Sequence, residues 1–577
     1  MTFSIKTRAQ DIERLKHEEL DLLVIGGGIT GAGVAIQASA AGMKNALIDM
    51  QDFSEGTSSR STRLVHGGIR YLKTFDVEVV AETSQERAII QHIAPHVTRP
   101  KPMLMPIYDE PGTTFTMFSV KVAMDLYDRL AGINDSDYLN KYANYTVDKE
   151  QVLQLEPQLN ADKLVGGGVY LDYINNDARL VIENIKRAHE LGGLMVSHLK
   201  AIEILHDVNG DVTGVKVKDQ ITNEEFAIKA GVVLNASGPW SDLVKDLDSN
   251  HNQKHTQMRP TKGVHLVVDQ SKLKVLQPTY FGSGTNDGRM IFTIPREGKT
   301  YFGTTDTDYK GDLSHPRVEQ KDVDYLLGII NKKYPDAHIT IDDVESSWAG
   351  IRPLIVEEPV PEVDAVSGAS DSGSNKVSAS AVSRGSSLKR AQDGLITLAG
   401  GKLTDYRKMA DGAMKMIINI LNENYQTHFE TVNSSELRVS GGDFDSMKAE
   451  RVLNEYTQMV MSHGIGPKEA QKMVHIFGSN VKKIMAGADQ TKTSTGLSLA
   501  ETLSLRYSLS EEMTLTPGDY LFRRTNNLLF NHDHIKEIEH GVIKEMAQYF
   551  GWSDSVVKYH TEQTDALISE AELDYLK

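Results

Sequence analysis

Apolar residues are distributed along this chain in three styles. Leu22 to Ile25 form a short continuous apolar run, Ile29 to Ala41 carries its apolar residues at helical spacing, and Asn45 to Asp49 is a second short run. This order predicts a strand, a helix and a second strand parallel to the first, with the strands buried on both faces. Val232-Val233-Leu234 is a further apolar run that breaks into Asn235-Ala236-Ser237-Gly238-Pro239, a strand end small enough to lie against a flat ligand. Residues 100–160 and 255–345 alternate instead, as in His265-Leu266-Val267-Val268 and Met290 to Ile294, and predict an antiparallel sheet inserted into the first unit. Leu395 to Ala399 reads as a strand, followed by Gly400-Gly401 and a helix from about Leu403 to Leu421. From about 435 onward the periods are helical, in Ala449 to His463, Glu469 to Phe477, Leu499 to Leu509 and His534 to Phe550. That stretch predicts a separate helical domain.

These elements give an α/β chain, α+β overall. A Rossmann-like unit is expected over 19–95, 160–250 and 340–430, and an antiparallel substrate domain over 96–159 and 251–339. A helical domain follows over 435–577. Between 355 and 390 lies an expected flexible insertion, because nine serines fall in the twenty-one positions 367–387 with no apolar period. A length of 577 residues suits several domains.

Composition narrows the chemistry. The 40% of apolar and 24% of charged residues describe an ordinary soluble protein, and Met1 to Leu20 has no apolar leader, so a cytoplasmic location is expected. With no cysteine there are no disulfides, thiolate metal sites or cysteinyl flavin link, so redox chemistry needs a bound organic cofactor. The histidines, His17, His251, His255 and His463 among them, show no paired ligand spacing, and no metal site is expected. A net charge of −17 argues against nucleic acid as a partner. A small anionic substrate would need a local cluster of Arg and Lys. Phe118 to Leu130 has helical apolar spacing that could touch a bilayer, but such a stripe is more often core.

Gly26, Gly28 and Gly31 stand at G-x-G-x-x-G spacing between the first strand and its helix. There they permit the tight turn, the approach of backbone to a pyrophosphate and close helix packing, while Ile29 and Thr30 supply amides at the helix start. Asp49 follows Gly31 by eighteen residues, near the ~20 at which a carboxylate meets the adenosine ribose hydroxyls. A dinucleotide is therefore the expected cofactor.

Three further stretches carry chemistry. Gly56 to Tyr71 is dense in hydroxyls, glycines and cations; Thr57, Ser58, Ser59 and Ser61 can donate to phosphate or a ring edge, and His66, Arg70 and Tyr71 follow. Arg352 sits among apolar residues just before Pro353, so it either meets an anion or closes a salt bridge. Gly400-Gly401-Lys402-Leu403-Thr404 opens a helix whose amino end favours negative charge, to which Lys402 adds a point charge.

Taken in order, several motifs resemble the FAD-dependent glycerol-3-phosphate dehydrogenase family over essentially the whole chain. They are Gly26 to Gly31, Thr57-Ser58-Ser59, His66 to Leu72, Asn235 to Trp240, Gly303 to Asp308, Ala349 to Leu354 and Gly400 to Thr404. Met1 to Glu19 and Ser380 to Ser387 are most similar to the alpha-glycerophosphate oxidases of lactic acid bacteria. One departure is a shorter stretch after Ile351-Arg352-Pro353-Leu354 than those oxidases usually carry. The resemblance implies an FAD-binding domain, with Gly26, Gly28, Ile29, Thr30, Gly31, Asp49, Thr57, Ser58, Ser59, Ser61, Gly238, Gly401, Lys402, Leu403 and Thr404 toward the cofactor. It also implies oxidation of sn-glycerol 3-phosphate to dihydroxyacetone phosphate by hydride transfer to flavin N5, with O2 as acceptor and hydrogen peroxide as product.

For that reaction His66 is the candidate base, having its ordinary pKa near neutrality, and Arg352 the group that holds the C2 oxygen. Arg70 and Arg384 suit the phosphate dianion. Lys262 and Lys402 complete the expected substrate-side cations, and Tyr71 either bonds the phosphate or packs. The alternatives are a membrane-associated dehydrogenase reducing quinone, an amine or amino-acid oxidase, which would not need so many cations, and a non-enzyme using FAD structurally. An NAD enzyme fits the hydroxyl-rich loop and late glycines less well. The oligomeric state is not legible.

Overall fold

A computed structural model describes residues 2–69, 77–110, 115–133, 139–248, 258–285, 287–355 and 386–577. Its first sheet runs in the order Ser386–Arg390, Ile396–Gly400, Glu225–Asn235, Glu19–Ile25, Asn45–Ile48 and Leu194–Val196. The inner members are parallel, with Val24 beside both Leu234 and Leu47. Alternation along Glu19–Ile25 explains its burial on both sides. Leu22 and Val24 join a core with the helices Ile29–Ala40, Asp177–Glu190 and Tyr406–Tyr425, whereas Leu23 and Ile25 join one with Val215, Val217 and Ile228 of an antiparallel layer. Gly33 allows two of those helices to close up, since a Cβ there would meet the Tyr406 ring at 2.8 Å. The strand, glycine turn, helix and strand read from the sequence stand where expected. At the far edge Ser386–Arg390, the last residues of the stretch expected to be an insertion, pairs with Ile396–Gly400 as a hairpin.

The second sheet is antiparallel at its centre. Met258–Asp269, Lys299–Gly303, Met290–Arg296, Thr279–Gly282, Arg99–Tyr108 and Leu164–Ile174 follow one another across it, the Thr279–Gly282 and Arg99–Tyr108 pair being parallel. Here the expected boundaries need correction. Val344–Ile355, assigned from the sequence to the nucleotide unit, pairs along its length with Met258–Asp269, and Leu164–Ile174 pairs with Arg99–Tyr108. Leu64–Val65 also belongs to this sheet. Thus the stretch carrying Arg352 is a substrate-sheet strand whose end reaches the nucleotide unit.

Beyond 435 the described elements are helical, but only partly separate. Leu453, Val460, Met473, Phe477 and Ile484 build a core of their own. Leu505, Leu509, Tyr520, Phe522, Phe530 and Val542 share one with Met103, Tyr170 and Trp348 of the second sheet. Ser346 and Ser347 fasten that junction by donating to the carbonyls of Leu529 at 2.7 Å and Ala571 at 2.9 Å. In the helix Met117–Leu130, Val120, Ala123, Met124 and Tyr127 are core, while Phe118 is 81% and Val122 52% exposed. No described helix is long and apolar enough to cross a membrane.

Candidate active site

A cavity of about 960 Å³ runs from the glycine turn, past the loop 54–62, to the ends of the second-sheet strands. At its first end the wall is backbone. Gly26 has φ +116°, and a Cβ there would lie 2.5 Å from the Ala236 carbonyl oxygen, so only glycine fits between the two strand ends. Gly28 caps the helix Ile29–Ala40, and Gly31 lets that helix pass over the turn, its Cβ position falling 1.9 Å from the Gly26 oxygen. Ile29 donates its amide to Ser58 Oγ at 3.0 Å. Asp49 accepts from the amides of Gly27 at 2.6 Å and Gln51 at 2.8 Å. Enclosure pushes its carboxyl up to about 7, against the pull of those two amides. Gly238, at φ +57°, lines the opposite wall.

The middle is a turn of Thr57–Ser59. Thr57 Oγ1 donates to the Ile351 carbonyl at 2.5 Å, which ties the loop to the strand carrying Arg352. Ser61 lines the cavity, its amide held at 3.0 Å by Asp177. Ser59 is fully buried and is not in the cavity wall. Its carbonyl accepts from Arg63 at 2.9 Å, so its place is in the loop's own scaffold.

At the second end the wall is side chains. His66 follows Leu64–Val65, with its ring 6.2 Å from that of Phe292 and its carbonyl accepting from Thr404 Oγ1 at 3.1 Å. Lys402, Leu403 and Thr404 line the wall after Gly400 and Gly401, both at positive φ. The sequence places an α-helix from Leu403; the structure has a tighter turn over Leu403–Asp405 and begins the helix at Tyr406. Arg352 is one-quarter exposed. Its guanidinium donates to Thr304 Oγ1 at 3.0 Å, the Thr305 carbonyl at 3.2 Å and Asp306 at 3.1 Å. It lies across Gly263, where a Cβ would meet Nη2 at 2.4 Å. This arginine closes the salt bridge that was one of its two readings, and it also lines the cavity.

His265 is a wall residue that sequence reasoning passed over as a member of an apolar alternation. It stacks on Trp348 with ring centres 4.8 Å apart, meets Thr62 Oγ1 at 3.1 Å through Nε2, and leaves Nδ1 buried without a hydrogen bond. Burial, then Arg352 and Arg63, hold its pKa well below the usual histidine range, so it is neutral. Thr304 was likewise passed over as an individual site residue. Lys262 requires a correction. On a strand whose Gly263 and His265 face the cavity, Lys262 points elsewhere, and its ammonium is taken by Asp322 at 2.7 Å, by Glu319 and by the Arg317 carbonyl at 3.0 Å. Arg70, Tyr71 and Arg384 lie outside the described residues.

The cavity fits a dinucleotide on its own evidence of shape: a glycine cradle with a carboxylate at one end, and room beyond it bounded by hydroxyls, glycines and cations. Comparison with known proteins agrees. Residues 21–405 match the family model described as FAD dependent oxidoreductase, and residues 432–557 that of the C-terminal domain of alpha-glycerophosphate oxidase. The alpha-glycerophosphate oxidase of Enterococcus casseliflavus is 53% identical over 100% of this chain and 99% of its own. That of Streptococcus pneumoniae is 50% identical over the full length of both. The glycerol-3-phosphate dehydrogenase of Bacillus halodurans, solved in complex with FAD, is 34% identical with a TM-score of 0.80, covering 99% of this chain and 98% of that one. The Enterococcus alignment spans 612 positions against 577 residues here, so that relative carries segments this chain lacks.

Proposed function

Because the chain belongs to the FAD-dependent oxidoreductase family that includes the alpha-glycerophosphate oxidases, we propose that it oxidises sn-glycerol 3-phosphate to dihydroxyacetone phosphate and reduces O2 to hydrogen peroxide. The observation that carries this reading is the continuity of one cavity from the Gly26–Gly31 cradle to His66, Arg352 and Lys402. FAD held along this cavity would supply the acceptor for the hydride from C2, with dioxygen as the final acceptor of the electron pair. His66, facing the cavity beside Phe292, takes the hydroxyl proton. Arg352, braced by Thr304, Thr305 and Asp306, holds the C2 oxygen as negative charge develops there. His265 stays neutral and Lys262 is engaged behind the sheet, whereas Arg352 and Lys402 line the cavity at its substrate end. Arg70 and Arg384 bind the phosphate dianion in this reading, and Tyr71 either assists them or packs.

The decisive experiment is anaerobic mixing with glycerol 3-phosphate while flavin absorbance is followed, and then admission of air. Loss of the yellow colour and its rapid return, with hydrogen peroxide formed, is the expected result. Failure to bleach would remove the substrate from the proposal. Bleaching with slow return would move the acceptor to quinone, a second reading supported by the outward Phe118 and Val122.

A further inference from the structure

The loop after the second strand of the first sheet crowds three acids into seven residues, Asp49, Asp52 and Glu55. Asp49 and Glu55 are in the cavity wall, and both Asp52 and Glu55 repel the Asp49 carboxylate. A dinucleotide site needs Asp49 as an acceptor for hydroxyls, so the other two charges must be compensated from elsewhere. The compensation comes from the C-terminal helical region. In the π-helical turn Asp519–Arg524, Arg523 Nε donates to Asp52 at 2.6 Å, and Arg524 donates to the same carboxylate at 2.7 and 2.9 Å. Arg523 also reaches Glu55 at 3.4 Å. Asp52 and Arg524 are fully buried, which makes their pairing a fixed part of the structure and not a surface contact.

From there hydrogen bonds lead inward. Glu55 accepts from the Asp52 amide at 3.1 Å and from Gln51 Nε2 at 3.4 Å. The Gln51 amide donates to Asp49 at 2.8 Å, and the other Asp49 oxygen accepts from Gly27 at 2.6 Å. We propose that Arg523 and Arg524 are positioning residues for the cofactor: through Asp52 and Glu55 they hold the loop 49–55 in the shape that presents Asp49 to the adenosine end of FAD. FAD loading and the order of the turn 519–524 are then linked, and the linkage acts in both directions. A π-helical turn departs from the regular helical hydrogen-bond pattern and is frequently found at functional sites; here it sets two successive arginines on one carboxylate.

The proposal rests on the cavity's being the FAD site, and the test separates the two. Release of FAD from diluted holoenzyme is read as rising flavin fluorescence in wild type, Arg523→Gln and Arg187→Gln. Arg187 serves as the comparison because its pair with Asp443, at 2.6 Å, also joins the C-terminal region to the first unit but has no contact with the loop. Arg523→Gln is expected to release FAD about tenfold faster or more, and Arg187→Gln at the wild-type rate after matching for any fall in melting temperature. If Arg523→Gln does not fold, Arg523→Lys takes its place, with a smaller increase expected. Amide exchange gives the reciprocal reading: FAD should protect residues 519–525 in the wild type. Release from the folded variant within twofold of wild type, or no protection of 519–525 by FAD, overturns the proposal. A wild-type protein that binds no flavin overturns the cofactor reading instead.

Discussion

The two ends of the cavity are built from different material. The dinucleotide end is backbone: Gly26, Gly28 and Gly31 with their strand and helix, closed by Asp49, all within one unit of the first sheet. At the substrate end the wall is made of side chains from separate strands and loops, with His66, His265, Thr304, Arg352 and Lys402 meeting across hundreds of residues of sequence. Backbone recognition needs only a local turn and can be written in a few consecutive positions. Side-chain chemistry needs groups that the topology brings together, and each is fixed by a different part of the fold.

The largest effect that would break this contrast is at His66. In His66→Ala, anaerobic flavin reduction should slow by ~10² to 10⁴-fold while FAD stays bound and the protein stays yellow. Normal reduction would move the base to another group. Lys262→Met should disturb neither end, because its ammonium is engaged with buried Asp322. It should lower stability by about 3–5 kcal/mol by stranding that charge, with KM for glycerol 3-phosphate unchanged; a raised KM would return Lys262 to the site. Gly26→Ala attacks the other end, where a Cβ would press on the Ala236 carbonyl. Weaker FAD retention, by about 1–3 kcal/mol, is expected in folded protein, with the reduction rate of the remaining holoenzyme preserved.

The effect that is smallest at any one pH step is a pH dependence. Asp49 in the folded protein holds its proton up to about 7, above the unfolded carboxyl range. Folding therefore takes up a proton at this site, so stability of the apoprotein falls as pH rises from about 4 and levels off above 7. The slope from this one group is at most about 1.4 kcal/mol per pH unit. Asp49→Asn should flatten the melting temperature between pH 5 and 7, and an unchanged slope would assign it to other acids, such as Glu156, whose pKa burial also raises to about 7.

What was legible in the sequence follows the same division. The glycine turn, its strand and helix, and the placement of Asp49 were readable because short-range period and spacing determine them. Arg352 stood out as a cation beside a proline in an apolar run, and the structure places it in the cavity wall. Lys262 misled because spacing along a strand does not tell which face a residue takes until a neighbour is fixed; Gly263 and His265 have the cavity face. His265 gave no signal, since Thr62 and Trp348, which define its surroundings, are remote in sequence. The domain limits slipped at Val344–Ile355 for a related reason: an alternating strand does not name its partner, and this one pairs with Met258–Asp269. The sharing of a core between the last helices and Trp348 was likewise beyond any local pattern.

The bracing of Arg352 has a consequence for how much the protein must rearrange. Its fork is already set by Thr304, Thr305 and Asp306 and laid over a residue with no side chain. A dipole or charge fixed beforehand does not turn to follow charge growing on a nearby oxygen, whereas water would have to. The orientation cost is thus met when the chain folds, and Asp306, by sharing the positive charge, tempers the attraction for any anion that arrives while leaving the direction of the N–H groups intact.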